Sequence, residues 1–593
     1  LRRERWTSLD GLWDFALDRD AELGTPKEVT FDRAIRVPFS PETARSGVGE
    51  AGFFRACWYR RRFDVPDLSP GERLVLHFGA VDHRSTVWVE GIAVAEHEGG
   101  YTPFSADVTP LVGEKRSLEV VVRAVDDPHD LGQPRGKQDW QLAPHSIWYP
   151  RTSGIWQTVW YEVVSRTRIE SVRWTPNLER WEIGVEAQVA DPLPALTLSV
   201  RLAARGAVLA EDRYSVVAGE VARRIALSDP GIDDYRNELL WSPESPTLVH
   251  AELTLRDAGG RVLDRVLSYT ALRAFAVDGD RCVLNGRPYP LRMVLDQGYW
   301  PDTGLTPPDG RALRKDVELT KALGFNGARK HQKIEDPRYL HFCDTLGLLV
   351  WEEMPSAYRF TSASIERLTC EWIAVIGRDV SHPCIVAWVP LNESWGVPNL
   401  PGSVTEQNYV RALYFLTKTV DPTRPVIGND GWESVLTDIV GVHDYDPDPD
   451  RIRERYSAHD HLLPRLFERE RPGGRALVIG RAPGRAEAPP LVLSEFGGIA
   501  FSPDPGSWGY SRCRTPAEFE RAFTELVRTV RALSTLSGFC YTQLTDTYQE
   551  ANGLLRADRT PKLPIERIRA AVSGTPAQGF ESAARTERFE APG

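Results

Sequence analysis

From about residue 276 onward, short apolar runs alternate with amphipathic helical stretches. The first 275 residues instead carry short β-branched runs with turn residues between them and no helical period. That switch constrains the fold more than any other feature. Strand-only sequence must close as β-sandwiches, whereas alternation of strand and helix demands a parallel sheet with helical crossovers. In the second part eight strands are predicted, at Leu291–Leu295, Gly324–Arg329, Leu348–Glu352, Ile385–Leu391, Pro425–Gly428, Ile439–His443, Leu491–Ser494 and Gly538–Thr542. Eight such units over roughly 300 residues fit a (β/α)8 TIM barrel. The spacing of Phe519, Phe523, Leu526, Val527 and Val530 puts one apolar face on a helix, and Thr515-Pro516-Ala517-Glu518 opens that helix as a capping box. The stretch 471–490, rich in Gly, Pro and Arg, reads as a long loop before the seventh strand.

The strand-only part divides in two. Residues 1–165 hold runs such as 73–78, 86–89 and 118–122, expected to form a jelly-roll sandwich. Residues 166–275 alternate at period two with fewer aromatics, as in 195–202 and 249–255, and are expected to form an immunoglobulin-like sandwich. Residues 276–593 would be the barrel. A chain of 593 residues is too long for one core, which agrees with three domains.

Composition excludes several function classes. A formal charge of -11 argues against a nucleic-acid binder, which needs a net basic face. No run of 18 apolar residues exists, so no transmembrane helix and no membrane partner are expected. Seven cysteines, scattered and without a Cys-x-x-Cys pair, read as reduced thiols, with neither a disulfide framework nor a zinc site. A cytoplasmic location is expected, with a removed leader as the alternative because the sequence begins at Leu1. No cofactor and no structural metal is expected, and a homo-oligomer is compatible with the sequence.

In a TIM barrel the active site lies at the C-terminal ends of the strands. Polar residues crowd there. The second strand ends in Arg329 and His331, the third in Glu352-Glu353, and the fourth in Asn392-Glu393 between Trp388 and Trp395. The sixth ends in His443 and Tyr445, the seventh in Glu495, and the eighth in Tyr541 and Gln543. Glu393 and Glu495 would face each other across the mouth, the arrangement of a retaining glycosidase, whose carboxyl groups lie roughly 5–5.5 Å apart. Arg329 and the hydroxyl of Tyr445 would keep Glu495 ionised, and the two tryptophans would give Glu393 a more apolar setting that raises its pKa.

Asn392-Glu393-Ser394-Trp395-Gly396 and Ser494-Glu495-Phe496-Gly497-Gly498 resemble the acid/base and nucleophile motifs of glycoside hydrolase family 2. The resemblance extends to 8–13 and 153–159 at the two ends of the jelly roll, to 326–329 and 346–353 in the barrel, and to 552–561 after the last strand. It implies Glu393 as acid/base, Glu495 as nucleophile and Asn392 on the substrate's 2-hydroxyl. It further implies that Arg329 and Tyr445 orient Glu495 and that Asn552 lies near the far end of the ring. Two positions depart from the family pattern. Tyr541 stands where many members have tryptophan, and the Asn-x-Lys pair by which glucuronidases grip a carboxylate is not visible around Asn552.

Asp296 and Trp300, just past the first strand, are further expected substrate contacts. His331 is either a ligand contact or a packed histidine. Lys137 and Gln138, on a jelly-roll loop, either touch substrate or are solvated. The Asn392 sequon would be inaccessible in a barrel mouth, and 444–450 reads as an acidic loop without the spacing of a calcium site. The resulting expectation is a retaining exo-β-glycosidase, β-galactosidase-type first, with β-glucuronidase, β-mannosidase or arabinosidase as alternatives. A non-catalytic carbohydrate-binding protein is the rival of another class.

Overall fold

A computed structural model of the chain describes residues 1–227, 237–457, 476–480 and 488–574. Most of the loop expected at 471–490 lies outside the described residues.

The N-terminal region is a sandwich of two antiparallel sheets. One orders the strands Trp6–Ser8, Val159–Ser165, Glu72–Phe78 and Phe104–Asp107; the other orders Arg33–Val37, Gly11–Asp18, Ala56–Asp64, Ser117–Val125, Arg84–Val89 and Ile92–Glu98. Alternation does the packing. In Arg84–Val89 the residues Ser85, Val87 and Val89 are buried while Arg84 is exposed, and Val87 and Val89 join Trp13, Phe15, Leu74, Leu76 and Val120 in one core. The next region is a smaller sandwich. Arg168–Asn177, Glu182–Ala190 and Glu220–Ala226 form one sheet, and Ala207–Ser215, Thr197–Ala204, Val249–Arg256 and Val262–Thr270 form the other. Trp174, Leu198, Val200 and Leu253 fill it.

The barrel sheet is parallel and has seven regular strands, in the order Ile385–Val389, Leu349–Glu353, Gly327–Lys330, Leu291–Asp296, Gly538–Thr542, Leu491–Gly497 and Val440–Asp444. Every residue in them except the half-buried Arg292 is buried, as expected of strands covered on both faces. The expected fifth strand, Pro425–Gly428, is not a regular strand. It touches its neighbour through isolated parallel bridges, Trp388 with Val426 and Asn392 with Asp430. The cause is local. Pro425 has no amide proton to give, and a Cβ on Gly428 would lie 2.2 Å from Leu436 O, so the chain turns tightly at once.

Helix Pro516–Ala532 begins at the expected capping box and buries Phe519, Phe523, Leu526, Val527 and Val530. All seven cysteines are unpaired. Among the described residues no helix is long and apolar enough to cross a membrane.

Both sandwiches hold the barrel through specific bonds. Trp241 Nε1 donates to Asp344 O at 2.8 Å, and Arg273 Nη2 to Ile385 O at 2.9 Å. The jelly roll reaches further. Its amides at Arg135 and Gly136 both donate to Ser356 O at 3.1 Å, and the Tyr101 amide donates to Glu371 Oε1 at 2.7 Å. The loop 132–149 is thereby carried onto the barrel mouth.

Gly347 closes helix Pro337–Leu346 at φ +78 and lies against the second sandwich, where a Cβ would stand 2.6 Å from Pro243 O. Gly347→Ala should cost about 1–3 kcal/mol, since it adds a left-handed alanine to a backbone clash. It should lower the thermal midpoint by a few degrees. An unchanged midpoint in calorimetry would remove this contact from the account.

Candidate active site

Arg329 stands at the end of strand Gly327–Lys330 and is fully buried. Its Nε donates to Glu353 Oε2 and its Nη1 to Glu495 Oε1, both at 2.7 Å. Nη2 donates to Asn392 Oδ1 at 2.6 Å and lies 3.1 Å from Asp430 Oδ2. Burial alone would lower the guanidinium pKa, but Glu353, Asp430 and Glu495 together raise it well above its ordinary value. The cation is permanent and gathers the ends of four barrel segments.

Glu495 reaches this centre through a break in register. Val442 pairs with Leu493, but His443 pairs with Glu495, so Ser494 is the extra residue of a bulge. Ser494 uses the displacement: its hydroxyl donates to Asp430 Oδ1 at 2.9 Å, and its carbonyl accepts from Arg329 Nη1 at 3.3 Å. Tyr445 donates its hydroxyl to Glu495 Oε2 at 2.5 Å and stacks on Tyr510 with ring centroids 3.4 Å apart. Burial pushes the Glu495 carboxyl up, but the charges of His443 and Arg329 outweigh it and hold the group at about 2. Glu495 is therefore ionised at neutral pH.

Glu393 is presented by a strained turn. It and Ser394 both adopt left-handed backbone, at φ +51 and +57, a conformation that costs of order 1–3 kcal/mol per residue without glycine. The surroundings enforce it. The Glu393 amide donates to Asp430 O at 2.9 Å and the Ser394 amide to Asn429 Oδ1 at 3.0 Å, while Ser394 Oγ donates to Glu433 Oε2 at 2.6 Å. The carboxylate keeps 14% side-chain exposure. Trp395 Nε1 donates to its Oε2 at 3.3 Å.

His443 joins the two carboxylates. Its Nδ1 is 2.8 Å from Glu393 Oε1 and 3.4 Å from Glu495 Oε2, and its Nε2 is 3.5 Å from Asp430 Oδ2. Burial lowers the imidazole pKa, but Glu495, Asp430 and Glu393 raise it to about 9. One oxygen each of Glu393 and Glu495 and the His443 nitrogen lie within 4.8 Å of one another. These three groups are a donor set for a cation, yet an imidazole that holds its proton to about pH 9 already supplies positive charge there.

Of the other residues expected at the mouth, Asn392 is buried with Nδ2 unpartnered, as is Asn552. His331 Nδ1 lies 2.9 Å from Glu353 Oε1 at an angle that makes no hydrogen bond. Burial, then the charges of Lys137 and Arg329, keep its ring neutral. Asp296 is engaged elsewhere: its Oδ2 takes Lys330 Nζ at 2.9 Å and its Oδ1 the Gly298 amide at 2.9 Å. Trp300 is packed in the core beneath the cations of Lys333 and Arg559. Neither is among the residues gathered around Arg329. Tyr541 faces outward, edge-on to Phe496 and Phe523 at 5.5 and 5.1 Å, because the inward side of that strand belongs to its neighbour Cys540. It cannot serve as a sugar platform. Trp388 also points away from Glu393, donating to Asp421 Oδ2 at 2.8 Å. The aromatic wall beside Glu393 is instead Trp395 with Trp148, Tyr358 and Trp432, at centroid separations of 5.7, 5.4 and 5.8 Å.

Sequence reading missed Asp430, which is fully buried and held at about 2 because Arg329 and His443 outweigh its burial. It placed Glu353 at the end of the third strand but gave it no role; burial raises this carboxyl to about 7 against the pull of Arg329. Asn429-Asp430-Gly431 reads as an ordinary turn. A signal would have been the need of buried Arg329 for more than one carboxylate.

His443→Gln should move the acid limb of the kcat/KM profile upward, because Glu495 loses the strongest charge holding it down. The imidazole also contributes stability. Its folded pKa of about 9 lies above the ordinary 6.5, so the contribution, on the order of 3 kcal/mol, is complete below pH 6.5 and lost as pH rises through 9. The stability gap between wild type and variant should therefore be widest below pH 6.5 and close by about pH 9. A gap independent of pH would contradict a charged His443.

Comparison with known proteins bears on this arrangement. Three family models match in order: "Glycosyl hydrolases family 2, sugar binding domain" at residues 50–128, "Glycosyl hydrolases family 2" at 167–273, and "Glycosyl hydrolases family 2, TIM barrel domain" at 276–500. A β-galactosidase of Thermoanaerobacter pseudethanolicus is 28% identical over 381 residues, 63% of this chain and 48% of that protein. The match thus spans about half the length of that relative. A β-glucuronidase of Canis lupus familiaris is 27% identical over 502 residues, covering 75% of this chain and 72% of that protein. Among solved structures, a β-glucuronidase of an uncultured Clostridium sp. superposes with a TM-score of 0.76 at 18% identity, covering 97% of this chain and 99% of the other. A β-galacturonidase from Eisenbergiella tayi gives 0.72 at 20% identity, covering 97% of each. At such identities the likeness to these structures shows the fold.

Proposed function

The chain belongs to glycosyl hydrolase family 2, and from that premise we propose that it is a retaining exo-acting β-glycosidase, with Glu495 as nucleophile and Glu393 as acid/base. The observation that carries this reading is the carboxylate pair itself. Its nearest oxygens lie within 4.8 Å, close to the roughly 5–5.5 Å separation of carboxyl groups in retaining enzymes and too close for an attacking water between them.

The two environments assign the roles. Glu495 is ionised and aimed by Arg329 and Tyr445, as a nucleophile must be. Glu393 sits on the strained turn under an indole wall and shares His443 across 2.8 Å. In the first step Glu495 would bond to the anomeric carbon as the glycosidic C–O bond breaks, and Glu393 would give its proton to the leaving oxygen. In the second, Glu393 would take a proton from water, the water oxygen would bond to the anomeric carbon, and Glu495 would leave as carboxylate. Asn392 Nδ2, which has no partner in the protein, would donate to the 2-hydroxyl, a bond that strengthens as positive charge develops on the ring. Galactoside-type neutral sugars are the first substrates to assay. A uronidase reading competes through the β-glucuronidase and β-galacturonidase relatives.

Glu495→Ala should lose detectable turnover, and Glu393→Ala should lose about 10²–10⁴-fold in kcat on poorly activated leaving groups. Azide should rescue the first to give a product of inverted configuration and the second to give a retained one. The opposite pairing of azide products would exchange the two roles.

A further inference from the structure

Lys137 stands on the loop that the jelly roll carries over the barrel mouth. The residue is only 6% exposed, yet its ammonium group has no hydrogen bond or ion pair among the described residues. Other buried lysines here are satisfied: Lys330 closes on Asp296 and Glu335, and Lys333 on Glu335 and two carbonyls. Lys137 Nζ is not sealed from solvent, and an ammonium that meets water and has no protein partner is free to donate to a ligand.

Its position is fixed by backbone. The Lys137 carbonyl accepts from the Tyr149 amide at 2.8 Å. Gly136, at φ +57, lies so close to the barrel that a Cβ would be 2.4 Å from Gln332 O. Tyr149 then bonds Glu550 through its hydroxyl. Beyond the last barrel strand, Gln543 Nε2 spans Glu550 Oε2 at 3.3 Å and Asn552 Oδ1 at 2.7 Å. Gln543 Oε1 and Asn552 Nδ2 are left buried and unpartnered. Glu550 itself is only 4% exposed. Burial raises the Glu550 carboxyl, and the charge of Lys137 opposes that rise. The neighbouring Gln138 is saturated, with Nε2 on Asp82 and Tyr101 and Oε1 on the Thr152 amide. Of the two loop residues, Lys137 alone has capacity left.

We propose that Lys137 and Glu550 together read the hydroxyl groups on the side of the sugar ring remote from the anomeric carbon, and that the pair selects a neutral sugar over a uronic acid. The inference rests on the glycosidase reading and names the substrate class of that site. An ammonium only donates and a carboxylate only accepts. Neighbouring hydroxyls, each both donor and acceptor, satisfy the two at once. A uronate carboxylate would suit Lys137 and Asn552 Nδ2 but would bring a second negative charge against Glu550. Lys137 supplies grip, and Glu550 supplies the discrimination. The site is then complete only when the jelly roll is docked on the barrel.

The test is kcat/KM for nitrophenyl β-D-galactoside, β-D-glucoside, β-D-galacturonide and β-D-glucuronide, with wild type, Lys137→Met, Lys137→Arg and Glu550→Gln, each at an unchanged thermal midpoint. Wild type should prefer its better neutral glycoside over either uronide at least tenfold. Lys137→Met should lose at least tenfold on neutral substrates, Lys137→Arg should recover part of that, and Glu550→Gln should raise the uronide-to-neutral ratio at least tenfold. Calorimetric binding of galactose, glucose, galacturonate and glucuronate to Glu495→Ala protein reads the same pair without turnover. A neutral sugar should bind more tightly than either uronate, adding Glu550→Gln should abolish the difference, and adding Lys137→Met should weaken binding of the neutral sugar. A uronide preference in wild type, tighter binding of a uronate, or a Lys137→Met enzyme within twofold of wild type on every substrate would overturn the proposal. Absence of any turnover alongside selective binding of a neutral sugar would sink the glycosidase reading and leave the sugar-reading pair standing.

Discussion

The guanidinium of Arg329 is the constraint on which the rest of the site depends. It is fully buried and touches Glu353, Glu495, Asp430 and Asn392, each delivered by a different barrel segment. Three carboxylates around one cation would leave the centre strongly negative. Two features correct this. Burial lifts Glu353 to about 7 despite its bond to Arg329, and the proton on His443 adds a second cation between Glu393, Glu495 and Asp430. Arg329 and His443 are then the two cations set among Asp430, Glu495 and Glu393. Removing any member leaves an uncompensated charge in a dry interior, which is why such networks behave as units.

The protein spends backbone strain in one place to obtain this division. A left-handed Glu393–Ser394 pair would relax if its anchors at Asp430, Asn429 and Glu433 were lost. Asp430 is common to both halves. Its carbonyl holds the Glu393 amide, while its carboxylate lies against Arg329 and accepts from Ser394's counterpart across the mouth, Ser494. The cation that holds Glu495 and the turn that presents Glu393 are thus tied through a single aspartate, on a barrel segment that is not a regular strand.

Much of this was legible in the sequence. The change from strand-only to strand–helix pattern and the apolar face from Phe519 to Val530 were readable because burial imposes period on sequence. The polar residues at strand ends were readable for the same reason, since a buried strand has no other cause to end in Arg329, Asn392-Glu393 or Glu495. What escaped depended on direction. Trp388 and Tyr541 lie one residue from inward positions and point to the helices instead, a parity that bulges in this sheet reset without mark in the sequence. Asp430 escaped because its segment has almost no strand character. The role of His443 escaped because its charge depends on three carboxylates that only the fold assembles.

The most direct test of the central claim, that Arg329 and His443 hold Glu495 ionised as the attacking group, is to trap the enzyme with a 2-deoxy-2-fluoro β-glycoside bearing a good leaving group. Mass spectrometry of the digested protein then locates the adduct. The account predicts one fluoroglycosyl group per chain, on the peptide containing Leu491–Gly497 and esterified to Glu495. An adduct on Glu393, or turnover that gives a first-formed product of inverted configuration with no adduct, would contradict it.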